Sequence, residues 1–118
     1  MLRSSEWSGP RSPFKLLDIW QSFADSLNHG YQMSIYEYDN DLSVRDAIDL
    51  ILKTENLKQY PEYESFQSSV EDIDRKFKSM LSDKQFRTDK TLWWQRGILM
   101  NRSGEYAADV TELYRIEE

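Results

Sequence analysis

The chain contains no cysteine and a single histidine, His29. Without a thiol there can be no disulfide, no cysteine nucleophile and no thiolate metal site. One imidazole, beside Gly30 at an expected helix end, cannot be built into a Ser/His/Asp or Cys/His arrangement. Its natural place is a helix-capping or surface role. Four glycines and three prolines provide neither a glycine-rich phosphate cradle nor a low-complexity linker. No window nears the roughly 20 apolar residues of a membrane span, and Met1 to Ser12 lack the apolar run of a secretory signal. Together these absences point to a cytoplasmic protein with no membrane association.

What is present is aromatic and acidic. The 118 residues include four Trp, seven Tyr and five Phe, enough large rings to argue against disorder and for one core in one domain. Net charge is −6, unevenly spread. Leu16 to Asp74 carry 13 acidic residues against Arg45, Lys53 and Lys58, whereas Arg75 to Arg102 carry eight basic residues against Asp83 and Asp89. Such an acidic body disfavours nucleic acid and suits a basic protein partner.

Periodicity predicts mostly helix. Residues 1–12 read as a flexible lead-in that Trp7 could anchor. Ser12-Pro13 supplies a cap and a first helical position. Leu16, Ile19, Trp20, Phe23 and Leu27 then form a stripe, widened by Leu17 and Ala24, up to a stop at Asn28-His29-Gly30. This predicts a helix over about 13–28. Tyr31 to Asp39 reads as a short strand or ordered extended loop. Ser43 with Asp46 resembles a capping box, so a second helix is predicted from Ser43 to near Glu55, with Val44, Ala47, Ile48, Ile51 and Leu52 inside.

Tyr60-Pro61 marks a boundary. Helix three follows over about 62–82, with Tyr63, Phe66, Val70, Ile73, Phe77 and Met80 as its core face. Residues 83–90 read as a polar connection, 91–100 as extended chain packed on the helices, and 104–115 as a final helix. The expected fold is all-α: a bundle of three to four helices forming a single domain over 13–118. The alternative is α+β, with 31–39 and 91–100 paired as a two-stranded ribbon.

The candidate site is a surface for binding. Asp39, Asn40, Asp41 and Asp46 carry oxygen ligands of the kind calcium takes. Counted from Asp39, however, the required glycine and terminal acid fall on Val44 and Leu50, so no metal is expected. No catalytic or cofactor residues are expected either, and an enzyme is disfavoured. Tyr36, Glu37, Tyr38, Asp39 and Asp41, with Tyr60, Glu62 and Glu64, combine aromatic area with negative charge and are the expected partner-binding residues. Two further readings compete. One is a regulatory or adaptor subunit that homodimerises through the helix-three stripe. The other is a weak nucleic-acid binder using Arg75 to Arg102, with Trp93 and Trp94 stacking on bases.

The segments Tyr38-Asp39-Asn40-Asp41-Leu42-Ser43-Val44-Arg45-Asp46 and Trp93-Trp94-Gln95-Arg96, set in a small acidic chain lacking catalytic groups, resemble the small bacterial immunity proteins that neutralise colicin-type and contact-dependent-inhibition toxins. The resemblance implies a partner, a basic nuclease-type toxin domain, whose active site the chain would cover. That class shares no common motif, so no binding residue carries over individually.

Overall fold

A computed structural model of the chain describes residues 12–115. The expected lead-in, apart from Ser12, and the anchoring role of Trp7 lie outside them. Among the described residues the order is α1 (Pro13–Ser26), α2 (Ile35–Leu52), α3 (Pro61–Lys78), β1 (Leu81–Phe86), α4 (Trp93–Arg96), β2 (Gly97–Leu99) and α5 (Gly104–Tyr114). Short 3-10 turns cover Leu27–His29 and Glu55–Gln59. The fold is mostly helical with one small antiparallel sheet. α1 packs on both α2 and α3, and α5 packs on α2.

α1 begins as its sequence requires. Ser12 is extended and its Oγ accepts from the Lys15 amide at 3.3 Å, with Pro13 in the first turn. The buried face is Pro13, Leu17, Trp20 and Ala24, continued by Leu27 in the turn that follows. It is rotated from the expected stripe. Ile19 is exposed, and Leu16 and Phe23 are only partly covered. The rotation follows Trp20, whose indole packs against Phe77 with centroids 4.9 Å apart and donates to Asp74 at 3.0 Å. A large ring with a polar handle fixes the helix phase more firmly than one isoleucine does.

α2 begins eight residues before the expected Ser43. Ser34 is the cap, its Oγ accepting from the Glu37 amide at 3.2 Å, while Asp109 on α5 accepts from the Ile35 amide at 2.9 Å. Two of the donors that a helix start leaves orphaned are thereby satisfied, one of them by a charge that favours the positive end of the dipole. Ser43 lies inside the helix and donates to the Asn40 carbonyl at 2.6 Å. The expected strand or loop at 31–39 is therefore helix from Ile35 onward. Its buried residues, Ile35, Tyr38, Leu42, Val44, Arg45 and Ile48, follow helical spacing through the acidic run.

α3 buries Tyr63, Phe66, Val70, Ile73 and Phe77, the expected face, together with Asp74. It ends at Lys78 rather than near 82. The chain then turns into the ribbon, which pairs 81–86 with 97–99, not 31–39 with 91–100. Leu81 faces Leu99 and Phe86 faces Gly97, with an irregularity between them. The expected connection at 83–90 thus contributes a strand, and Trp93–Arg96 is one turn of helix where extended chain was expected. Tyr31 does reach Arg102, through an isolated parallel bridge.

α5 closes the assembly against the lead-in to α2. Its Gly104 has φ +56°, and a Cβ there would stand 2.6 Å from the Gln32 carbonyl oxygen. Only glycine tolerates both the left-handed backbone and that approach. Among the described residues no helix is long and apolar enough to cross a membrane.

Candidate functional site

The acidic tyrosine segment is helical, and that settles which of its side chains face out. Tyr38 is fully buried, with centroids 5.2 Å from Tyr31 and 4.9 Å from Tyr106. It cannot contact a partner, and its place in the expected binding set is withdrawn: a helical residue seven before Arg45 and four before Leu42 shares their inward face. Two residues earlier, Tyr36 projects outward, 71% exposed, and Glu37 beside it is exposed and has no ion-pair partner among the described residues.

Asp39 and Asp41 are half-buried and occupied. Asp39 holds the Arg87 guanidinium from two sides, and Asp41 accepts from the Tyr31 hydroxyl at 2.8 Å. Burial, then the Asp41 contact, raises the Tyr31 phenol well above its ordinary value.

Tyr60, Glu62 and Glu64 do not join this group. The neighbouring Tyr63 hydroxyl donates to the Leu52 carbonyl at the C-terminal end of α2, at 2.8 Å. Eighteen residues of α2 span roughly 27 Å at 1.5 Å per residue. The second group therefore lies at the far end of α2 from Tyr36, and the eight expected residues do not form one face. Tyr60 and Glu62 are partly buried and Glu64 is exposed.

What gathers around Tyr36 is a cleft of about 350 Å³ bounded by three elements: Ile35, Tyr36 and Asp39 of α2, the loop 87–90, and Leu113 and Tyr114 of α5. Its floor is one connected network. Arg87, 2% exposed, binds Asp39, donates from Nε to the Tyr114 hydroxyl at 3.0 Å, and reaches the Gln95 carbonyl at 3.3 Å. Tyr114 in turn donates to Asp89 at 2.8 Å.

Burial opposes the charge on Arg87, but Asp39 and Tyr114 outweigh it and hold the guanidinium firmly protonated. The Tyr114 bond keeps the Asp89 carboxyl below the usual carboxylate range, whereas burial, offset in part by Arg87, raises the Tyr114 phenol. Asp39 offsets Arg87, and Lys90 stands beside Asp89, so the floor is charge-balanced. The rim carries the exposed area: Tyr36, and Leu113 at 51%.

Arg87, Asp89, Leu113 and Tyr114 were not legible as site residues. Arg87 lies 48 residues from Asp39 and reads in the chain as one cation of a basic run. The start of α2 escaped as well, although Ser34-Ile35-Tyr36-Glu37 carries the Ser-x-x-Glu pattern with its preferred glutamate, a local signal that marks it.

The competing surfaces also change. The helix-three stripe is buried in the chain's own core, so the expected route to a homodimer through it is lost. In the basic run, Arg75 pairs with Asp72, Lys76 with Asp25 and Arg87 with Asp39. Trp94 is buried and donates to Asp46 at 2.7 Å, and the Arg45 guanidinium lies 4.5 Å from its ring centroid. Trp94 is therefore unavailable for stacking on a base. His29 is exposed on the turn after α1. Among the described residues no three His, Asp or Glu side chains gather in a way that could hold a metal ion.

No protein family, curated protein or solved structure matches the chain.

Proposed function

We propose that the chain is a non-enzymatic binding protein that engages a basic protein partner at the rim formed by Tyr36, Glu37 and Leu113, and that it acts as an immunity protein covering the substrate groove of a nuclease-type toxin. One observation carries this reading. An aromatic side chain that is 71% exposed stands on the capped first turn of a helix, beside an exposed carboxylate with no ion-pair partner among the described residues and a half-exposed leucine. Rigid aromatic area next to charge is the composition of an interface anchor. Holding Tyr36 on an ordered turn also reduces the entropy lost on binding.

Attraction comes from Glu37 and from the net charge of −6, since the cleft floor beneath is neutral overall. Long-range steering of this kind raises association rates and weakens with salt. Asp39 and Asp41 act indirectly here, by holding Arg87 and Tyr31 in place. Tyr60, Glu62 and Glu64 lie outside the face.

The test is calorimetric titration with the purified product of the neighbouring gene, at low and high salt. The reading expects a one-to-one complex that weakens as salt rises. Absence of a complex at micromolar concentrations removes it, and so does turnover of a substrate by the purified chain.

A further inference from the structure

A second cleft, sharing no lining residue with the first, opens beneath the ribbon. It too encloses about 350 Å³, between Lys78 at the end of α3, Leu81 and Phe86 of β1, and Trp93, Arg96 and Gly97. From Leu81↔Leu99 to Phe86↔Gly97, five steps along β1 are matched by only two along β2. The intervening residues bulge out of the ladder, with Ser82 Oγ accepting from the Lys84 and Gln85 amides, each at 3.2 Å. Bulges of this kind re-aim side chains beside functional sites. Gly97 permits close packing of the two strands, since a Cβ there would stand 2.3 Å from a Leu81 methyl.

The chemistry of the lining is specific. Two aromatic rings each carry a cation: Lys78 Nζ lies 4.3 Å from the Trp93 centroid and the Arg96 guanidinium 5.4 Å from that of Phe86. Among the described residues neither cation has a carboxylate partner, unlike Arg75, Lys76 and Arg87 in the same basic run. Phe86 remains 44% exposed. Apolar walls with a few convergent polar groups, at the lower end of small-ligand volumes, suit a small molecule. Aromatic rings select a flat body, and the two cations select a negative group on it. Asp83, also in the lining, and the net charge of −6 repel a chain of phosphates and limit the ligand to one anionic group.

We propose that this cleft binds a small aromatic anion of the size of a nucleoside monophosphate, its ring against the exposed Phe86 and its charge between Lys78 and Arg96.

Calorimetry on the whole chain tests it with adenosine monophosphate, adenosine, a ten-residue oligothymidylate and a short acidic peptide carrying phenylalanine. The proposal expects one-to-one binding of the nucleotide and at least tenfold weaker binding of adenosine. It also expects at least a tenfold loss with Lys78→Gln plus Arg96→Gln at unchanged melting temperature. Phe86→Ala reads the stacking half separately, with a loss of similar size, and serves if the double variant melts early. Four outcomes overturn the proposal: no nucleotide binding at millimolar concentration, equal binding of adenosine, tighter binding of the oligonucleotide with a steep salt dependence, or tighter binding of the peptide.

Discussion

Arg87 and Asp39, 48 residues apart, form a two-pronged ion pair in which Arg87 Nη2 donates to Asp39 Oδ2 at 2.9 Å and Nη1 donates to Oδ1. The guanidinium is almost wholly buried, so removing its partner strands a charge away from water. Asp39→Ala is expected to cost about 2–4 kcal/mol in urea unfolding, and Arg87→Ala a similar amount. Because the two act as one unit, the double variant should cost much less than the sum. Additive losses, or a loss below about 1 kcal/mol for Asp39→Ala, would show that the pair does not tie α2 to the loop 87–90. Charge reversal at Asp39 is for the same reason a poor probe of partner binding, since it perturbs the fold first.

The start of α2 gives a sharper contrast. Ser34 accepts from the Glu37 amide, whereas Ser43 is exposed in mid-helix. Ser34→Ala should lower stability by about 1 kcal/mol, as loss of a helix cap does, and Ser43→Ala should change it by less than about 0.5 kcal/mol. The opposite ranking would return the helix start to Ser43.

Two neighbouring tyrosines should respond in opposite senses to loss of the hydroxyl. The Tyr38 hydroxyl is buried with no hydrogen-bond partner among the described residues, while that of Tyr106 accepts from the buried Leu99 amide at 3.1 Å. Tyr38→Phe should leave stability unchanged or raise it by up to about 1 kcal/mol. Tyr106→Phe, which orphans a backbone donor, should lower it by about 1–2 kcal/mol. Thermal unfolding of the two variants decides; a large loss for Tyr38→Phe would contradict the geometry.

The buried phenols also set an alkaline limit. Burial, with Tyr106 adding to it, raises Tyr38 well above its ordinary value. Burial pushes Tyr106 up to about 12, and burial with Asp41 raises Tyr31. The fold favours the neutral phenols, so above the unfolded value near 10 the native chain binds more protons than the unfolded one. Their contribution is therefore complete below about pH 10 and is lost as pH rises toward the folded values. A base titration followed at 295 nm and by far-UV dichroism should show these phenolates appearing together with loss of helix. Ionisation of all seven tyrosines near pH 10 with helicity intact would refute this.

Much of the architecture was legible in the chain because local rules decided it. Ser12-Pro13, Tyr60-Pro61 and the stripe from Tyr63 to Phe77 place α1 and α3 through capping, proline geometry and periodicity alone. The α2 start was obscured because Asp39-Asn40-Asp41 are poor helix formers and tertiary contacts overrode that preference. Arg87, Tyr31 and Asp109 each satisfy a group on the first turns of α2. The ribbon was misplaced because its pairing depends on a bulge that breaks the alternation by which a strand is recognised. The cleft at Tyr36 escaped for a simpler reason: its walls come from segments brought together by α5 docking on α2, and nothing in the spacing of Leu113 or Tyr114 announces that contact.

The central claim is that Tyr36 and its rim anchor a basic partner, and a titration comparing variants at the two ends of α2 tests it most directly. With the product of the neighbouring gene in the calorimeter, Tyr36→Ala should weaken the complex at least tenfold, while Glu64→Lys, at the far end, should change affinity less than threefold. Loss of affinity with Glu64→Lys and none with Tyr36→Ala would contradict the account.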